Sequence, residues 1–115
     1  MQDAKIKKIY VAAFEGAKTA EGGEIMQGSG LYAYEGLTLV RVGDHATYPD
    51  GSTAVITAGA GHACVVDGVP VAIVGSPLSN GDTIAFRPVS ALTFHELEDE
   101  PIKGLLDPAY HPVRA

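Results

Sequence analysis

The 115-residue chain has room for one domain, because domains usually contain about 100–150 residues. Its formal charge of −6 and pI of about 5.0 argue against a nucleic-acid-binding protein, because phosphate binding requires clustered Lys and Arg. Fourteen glycines and seven prolines favour many tight turns over long helices.

The first residues predict neither a signal peptide nor a membrane span. The N-terminal sequence MQDAKIKKIYVAAFEG lacks the apolar core and the cleavage pattern of a signal peptide. No apolar run of the chain reaches the roughly 18–20 residues that cross a bilayer. We therefore expect the protein to be made and folded in the cytoplasm. The apolar stretch 5–14 has no clean period, so it predicts either a strand or a short helix.

Two segments of the chain, 28–44 and 60–76, share one design at a shift of 32 residues. Their sequences are GSGLYAYEGLTLVRVGD and AGHACVVDGVPVAIVGS. Each segment holds two short runs of β-branched, aromatic or small apolar residues, separated by Glu35-Gly36 or Asp67-Gly68. Such two-residue links favour type I′ turns. Both segments are therefore predicted to form β-hairpins.

Three further turn signals lie outside these two links, and a strand-like run follows each of them. They are Glu21-Gly22-Gly23, Pro49-Asp50-Gly51-Ser52 and Asn80-Gly81-Asp82. The resulting rhythm of roughly thirty residues leaves no room for the helical crossover of a βαβ unit. The predicted fold class is therefore all-β, a compact set of short hairpins with an internal pseudo-repeat.

The predicted domain is a single β unit over residues 1–92, with its repeat core over 16–84. Residues 93–115 contain several acidic residues and three prolines, so they predict an irregular, solvated tail. At most one turn of helix is expected there, near 102–106. The acidic run 96–100 is predicted to be a solvated linker, because charge runs beside proline rarely form half of a carboxylate site.

The segment from Gly16 to Ile84 resembles the PAAR repeat. Members of that family have a threonine with paired glycines, a GSS-like start, an NG turn and a PAARVGD strand, and then the same order again. The corresponding elements in this chain are TAEGG at 19–23, GSG at 28–30, EG at 35–36 and LTLVRVGD at 37–44, then AGH at 60–62, DG at 67–68 and VPVAIVG at 69–75. The resemblance covers about sixty per cent of the chain.

The resemblance implies a compact cone of three pseudo-equivalent hairpin layers, with a pointed tip and a broad base. The base would sit on a trimeric β-helical spike, VgrG-like or of a phage. The implied function is structural: the protein would cap and sharpen the spike of a type VI secretion system or a phage-like contractile machine and aid membrane piercing. An effector or an adaptor is a further partner that the resemblance implies. The protein would leave the cytoplasm on the spike, without stable insertion into a membrane.

Four small apolar strand residues are open to two interpretations. Leu37, Leu39, Val71 and Ile73 would either contact the spike at the base, as strand residues that extend a partner's β structure do, or form the internal core. The sequence leaves both interpretations open.

In many PAAR proteins, histidines and a cysteine near the tip hold a zinc ion that pins the point. This chain departs from that pattern. Where the family often has T-x-H-G-G, residues 19–23 are TAEGG, and where it often has a cysteine followed by H-G, residues 48–51 are YPDG. The third turn, 78–81, has neither His nor Cys. We therefore expect no metal and no other cofactor, although zinc remains the metal that the family would favour.

Three acidic residues near the turns are candidate ligands for a metal ion. Glu21, Asp50 and Asp82 would suit a hard cation such as calcium or magnesium if they met. The favoured interpretation is that they are turn residues whose side chains bond the backbone.

The remaining metal candidates are His45, His62 and Cys64. His62 and Cys64 are two residues apart, so they would share one face of a strand. A zinc ion would need further ligands, and the other histidines, His95 and His111, lie outside the repeat. We expect a half-exposed histidine beside a small buried cysteine.

The alternative function is a small metal-dependent or cysteine enzyme on a β scaffold, with Cys64 paired with His62 or His45. It requires these groups and a third polar group to converge in a concavity. We expect no pocket of a few hundred cubic ångströms in a small, filled cone. No catalytic residue is therefore predicted.

Overall fold

The computed structural model describes residues 6–30, 32–87 and 92–110. In these residues the chain is nearly all β, with short strands paired two by two and a single 3₁₀ turn. The prediction of an all-β fold class is confirmed. The strands are β1 Ile6–Val11, β2 Lys18–Thr19, β3 Ala33–Tyr34, β4 Leu37–Thr38, β5 His45–Thr47, β6 Thr53–Val55, β7 Val65–Val66, β8 Val69–Pro70, β9 Ile84–Phe86 and β10 Thr93–Leu97, and the 3₁₀ turn is Gly61–Ala63.

Both hairpins predicted from the internal repeat are present. Strand β3 pairs with β4 and strand β7 pairs with β8, both antiparallel. The linking residues Glu35 and Gly36 have φ of 51° and 80°, and Asp67 and Gly68 have φ of 51° and 79°. Two consecutive positive φ angles define the type I′ turn, so the turn type is confirmed as well.

A third hairpin is formed by the two ends of the chain. Strands β1 and β10 pair antiparallel, with Val11 opposite Thr93 and Ile9 opposite His95. The same backbone hydrogen bond closes the inner end of all three hairpins. It runs from the N–H of Ala12 to the carbonyl of Leu92, from Leu39 to Tyr32 and from Val71 to Cys64. The three hairpins are therefore structural equivalents, which we call the base hairpins.

The prediction of an irregular tail from residue 93 is wrong for residues 93–97, which form β10. The paired residues of β1 lie 82–91 positions earlier in the chain, and local sequence signals do not report such a pairing. Glu96, predicted to be solvated, is 5% exposed, and its carboxylate accepts a hydrogen bond from the N–H of Ile102 at 2.9 Å. Residues 98–110 are turns and irregular structure, and 111–115 lie outside the described residues.

Three chain segments meet in a closed ring of backbone hydrogen bonds at the centre of the molecule. The N–H of Ala13 donates to the carbonyl of Ala72 at 2.9 Å, Ala72 donates to Val40 at 2.9 Å, and Val40 donates back to Ala13 at 3.0 Å. All three residues are fully buried. We call Ala13, Val40 and Ala72 the central ring. Their small side chains allow three backbones to approach one another this closely.

The apolar core lies on both sides of the central ring. On one side, the three equivalent residues Ile25, Ile56 and Ile84 are buried. On the other side, toward the base hairpins, a second cluster forms around Phe14. The members of that cluster are Ala12, Phe14, Leu39 and Val71, with Leu37, Cys64, Val66, Leu92 and Phe94 packed against it.

The burial of the four apolar strand residues decides between a core position and a partner contact. Leu39 is 1% exposed, and Val71 and Ile73 are 0% exposed, so they belong to the core. The interpretation that these three contact a partner is wrong. Leu37 is partly buried against the second cluster.

The packing of β10 predicts a specific loss of stability. Phe94→Ala should lower the free energy of unfolding by about 1–3 kcal/mol, because Phe94 packs against the second core cluster. Thr93→Ala, on the exposed neighbouring residue of the same strand, should change it by no more than about 0.5 kcal/mol. Urea denaturation measures both. Equal and small effects would contradict the packing of β10.

Candidate functional site

Three turns form the end of the molecule opposite the base hairpins. They span 19–22, 48–51 and 78–81, and we call them the apex turns. In each, the N–H of a glycine donates to the carbonyl three residues earlier, at 2.9–3.3 Å. The glycines, Gly22, Gly51 and Gly81, have φ of 93°, 88° and 90°, a region where a side chain is strained. The three turn predictions are confirmed.

The segments flanking the apex turns bond to one another in a cycle. Glu24 bridges to Thr47, joining the first turn to the second. Ile56 bridges to Leu78, joining the second turn to the third. Strand β2 pairs with β9 and joins the third turn to the first. Main-chain pairing therefore joins the segments that carry the three apex turns into a closed cycle.

The carboxylate of Asp82, next to the third apex turn, joins the other two turns. It accepts a hydrogen bond from the hydroxyl of Tyr48 at 2.6 Å. It also accepts from the N–H of Glu21, at 3.2 and 3.3 Å to its two oxygens, and from the N–H of Thr83 at 2.8 Å. The side chain of Thr19 lies close enough to help lower the pKa of this carboxyl. Asp82 is only 5% exposed.

These hydrogen bonds decide the protonation of Asp82. Burial opposes its ionisation, but the donors from Thr19, Tyr48, Thr83 and Glu21 outweigh burial and hold the pKa of the carboxyl below its usual value. An ionised carboxylate accepts hydrogen bonds about twice as strong as those of neutral groups. Asp82 is therefore the polar centre of the tip.

The other two acidic turn residues stay apart from Asp82. The Asp50 carboxylate accepts from the N–H of Ser52 at 2.9 Å and from its hydroxyl at 2.6 Å, which confirms the turn interpretation for Asp50. Glu21 is exposed and contributes its backbone N–H. For Asp82 the turn interpretation was incomplete, because its bonds also reach the other two turns. In the described ranges, no group of three or more His, Cys, Asp or Glu could hold a metal ion.

The residues considered as zinc ligands, His45, His62 and Cys64, lie on different elements of the structure. His45 lies exposed on β5, whereas His62 lies in the 3₁₀ turn, so the prediction that His62 and Cys64 share a strand face is wrong. The Nδ1 atom of His62 accepts the N–H of Lys103 at 3.1 Å. Burial raises the pKa of the Cys64 thiol, whereas a nucleophilic cysteine needs a lowered pKa.

Two open concavities of about 700 and 410 Å³ indent the surface, so the prediction of no such pocket is wrong. His45 lines the larger one, and His62 and His95 line the smaller one. Cys64 lines neither of these two. The enzyme alternative requires Cys64 and a histidine to meet in a concavity. Neither of these two concavities brings them together. His111 lies outside the described residues.

The base hairpins expose large apolar side chains. Each hairpin carries at least one of them on or beside its strands. They are Ile9 on β1, Tyr32 and Tyr34 at β3 and Val65 on β7, with exposed fractions of 51%, 47%, 41% and 36%. The base thus offers apolar surface in three equivalent directions.

Two carboxylates form hydrogen bonds with the loop that follows the first apex turn and hold it against the rest of the protein. Glu15 accepts from the N–H of Gly28 at 3.0 Å and of Thr38 at 3.2 Å. Asp44 accepts from the N–H of Ser29 at 3.0 Å and of Arg41 at 2.8 Å. The bonds from Gly28 and Thr38 hold the pKa of Glu15 below its usual value.

A family model of the PAAR motif matches residues 15–85, well over half of the chain. The chain belongs to the PAAR motif family. No curated protein matches it. The match contains the three apex turns and the two internal hairpins, and it leaves out the base hairpin that β1 and β10 form. The PAAR motif is associated with spike-tip proteins of contractile injection systems, which are structural proteins.

No helix in the parts of the chain that the structure covers has the length and apolar character to cross a membrane.

Sequence reasoning missed the Asp82 network, although one signal pointed toward it. Thr19, Tyr48 and Leu78 each stand three residues before an apex glycine. Equivalent positions around a pseudo-symmetry axis lie close together, so two hydroxyls at this position indicate a shared acceptor. The acceptor itself is contacted across 34 and 61 residues of sequence, which spacing does not reveal.

Glu15 predicts a measurable pH dependence. Its pKa is lower in the folded than in the unfolded protein, so its stabilisation is complete above the unfolded value of about 4.3 and is lost as pH falls through the folded value. Glu15→Gln should be less stable than the wild type at pH 6, and the difference should shrink toward pH 2.5. Denaturation at a series of pH values tests this.

Glu35→Gln, at an exposed hairpin turn, is the matched control for the loss of one carboxylate. A difference between wild type and Glu15→Gln that stays constant with pH would contradict the role assigned to Glu15.

Proposed function

We propose that this protein is a tip that caps a trimeric β-helical spike of a contractile injection machine. The observation that carries the proposal is the pseudo-three-fold arrangement of one chain: a closed central ring, three apex turns at one end and three base hairpins at the other. A single chain with three equivalent base hairpins matches the symmetry of a trimer. The family match to the PAAR motif supports the same function.

The base is the surface proposed to contact the spike. Ile9, Tyr32, Tyr34 and Val65 expose apolar area there, and aromatic residues are enriched in the cores of protein interfaces. Because these residues are distributed over all three hairpins, each spike subunit would meet one hairpin. The apex turns then point away from the spike, toward the membrane to be pierced.

The fold suits a load along its axis. The strands of the described residues are two to six residues long, and tight turns close the β3–β4, β5–β6 and β7–β8 hairpins. A force on the apex would pass through the bonded apex segments and the central ring to the base. Long surface loops, which are the mobile parts of most proteins, are not needed to transmit it.

We further propose that the protein folds in the cytoplasm and leaves the cell on the spike, in a type VI secretion system or a phage-like machine. An effector or adaptor would attach at residues 98–110, which lie outside both the family match and the base hairpins. The enzyme alternative is not proposed, because the raised pKa of Cys64 and the separate positions of the histidines give it no support.

Binding to a spike from the same genome tests the proposal. The purified protein and the spike should form a stable complex of one chain per trimer, measured by size-exclusion chromatography with light scattering. Tyr34→Asp and Val65→Asp should each weaken binding by about tenfold or more, since a buried charge opposes an apolar contact.

Thr53→Asp is the matched control, because Thr53 is an exposed strand residue near the apex. It should bind like the wild type. A well-folded protein that binds no spike of its genome would contradict the proposed function. Equal losses for Tyr34→Asp and Thr53→Asp would contradict the assignment of the base.

A further inference from the structure

The residues of the apex do not fit the zinc ion that the family implies. The position before each apex glycine is Glu21, Asp50 or Asn80, and all three side chains are exposed. Asp50 bonds Ser52 within its own turn, and the Oδ1 atom of Asn80 accepts the N–H of Asp82 at 3.1 Å. Zinc sites that stabilise folds use Cys and His ligands, and none stands at these positions.

We propose that the Asp82 carboxylate, with the hydroxyl of Tyr48 and the N–H of Glu21, holds the three apex turns together in place of a metal ion. The tip of this protein is therefore stabilised by a hydrogen-bond network and does not depend on a metal. The proposal concerns the isolated chain, so it does not depend on the proposed spike partner.

Three protein donors engage both oxygens of the Asp82 carboxylate, and one of them, the N–H of Glu21, is shared between the two oxygens. Its Oδ1 atom accepts from the N–H of Thr83 and of Glu21, and its Oδ2 atom accepts from the hydroxyl of Tyr48 and from Glu21. A carboxylate has about four lone-pair positions. Binding a cation at Asp82 would therefore require breaking bonds that join the turns.

The space between the apex turns is filled as well. A Cβ atom added to Gly23 would lie 2.8 Å from the Cζ atom of Tyr48 and 2.9 Å from the Thr19 hydroxyl oxygen. The ring of Tyr48, which belongs to the second apex turn, therefore packs directly against the backbone at Gly23, the residue after the first apex turn. This tyrosine stands at the position where the family pattern often has the cysteine.

The network is also complete. The Thr19 hydroxyl accepts the N–H of Gly23 at 2.7 Å. Across the residues that the structure describes, no buried side-chain nitrogen or oxygen lacks a hydrogen-bond partner. No buried side-chain polar atom at the described apex is therefore left that requires an ion to satisfy it.

The first experiment measures metal content and metal dependence. The full chain, purified without a polyhistidine tag from zinc-supplemented cells, should contain far less than one zinc per chain by elemental analysis. Its melting temperature should be the same before and after dialysis against EDTA, and after addition of zinc chloride. One zinc per chain, with a lower melting temperature after EDTA, would overturn the proposal.

The second experiment tests the network itself. Tyr48→Phe removes only a hydroxyl, and Asp82→Asn keeps the size of the side chain but removes its charge. Each should lower the melting temperature by roughly 5–15 °C, as expected for a charge-assisted hydrogen bond in a domain of this size. The double variant should lose less than the sum of the two, because both changes break the same bond.

Asp50→Asn is the matched control, because it makes the same exchange at the exposed second apex turn. It should shift the melting temperature by only about 2 °C or less. If Asp82→Asn fails to fold, Tyr48→Phe alone decides. A melting temperature of Tyr48→Phe equal to that of the wild type would overturn the proposal, and so would fully additive losses in the double variant.

Discussion

The closed ring of three backbone hydrogen bonds among Ala13, Val40 and Ala72 is the constraint on which the other elements depend. A ring of three backbones has no free edge, and the layers on both sides of it are also built in triplicate. Small side chains at these positions are required, because a larger residue would push the three segments apart. The three apex turns on one side and the three base hairpins on the other follow from this geometry.

The two ends of the molecule meet the same constraint in different ways. At the base, the chain supplies its third hairpin by pairing β1 with β10, so one chain offers three similar surfaces. At the apex, the pseudo-symmetry is broken: a single carboxylate, Asp82, serves all three turns. An equal contribution from each turn would place three carboxylates together, which would repel one another without a cation. One shared acceptor with hydroxyl and N–H donors avoids that repulsion.

Local turn chemistry explains what the sequence predicted correctly. Glu35-Gly36, Asp67-Gly68 and the apex glycines each specify a backbone conformation within four residues, so the internal hairpins and the apex turns could be located. The third base hairpin could not, because its strands lie at opposite ends of the chain and the acidic character of 96–100 suggested solvent exposure. Cross-turn contacts of Asp82 were missed for the same reason, since only the fold brings Thr19, Tyr48 and Asp82 together. His62 was misassigned because a 3₁₀ turn occupies the place of a strand.

A reconstruction by electron cryomicroscopy of the protein bound to the trimeric spike that we propose as its partner would test the central claim most directly. The claim is that the three base hairpins of one chain match the three-fold symmetry of a trimer. The account predicts one copy on the spike axis, with β1–β10, β3–β4 and β7–β8 each contacting a different spike subunit and the apex turns pointing outward. Three copies per spike, or a contact through the apex turns or one side of the molecule, would contradict it.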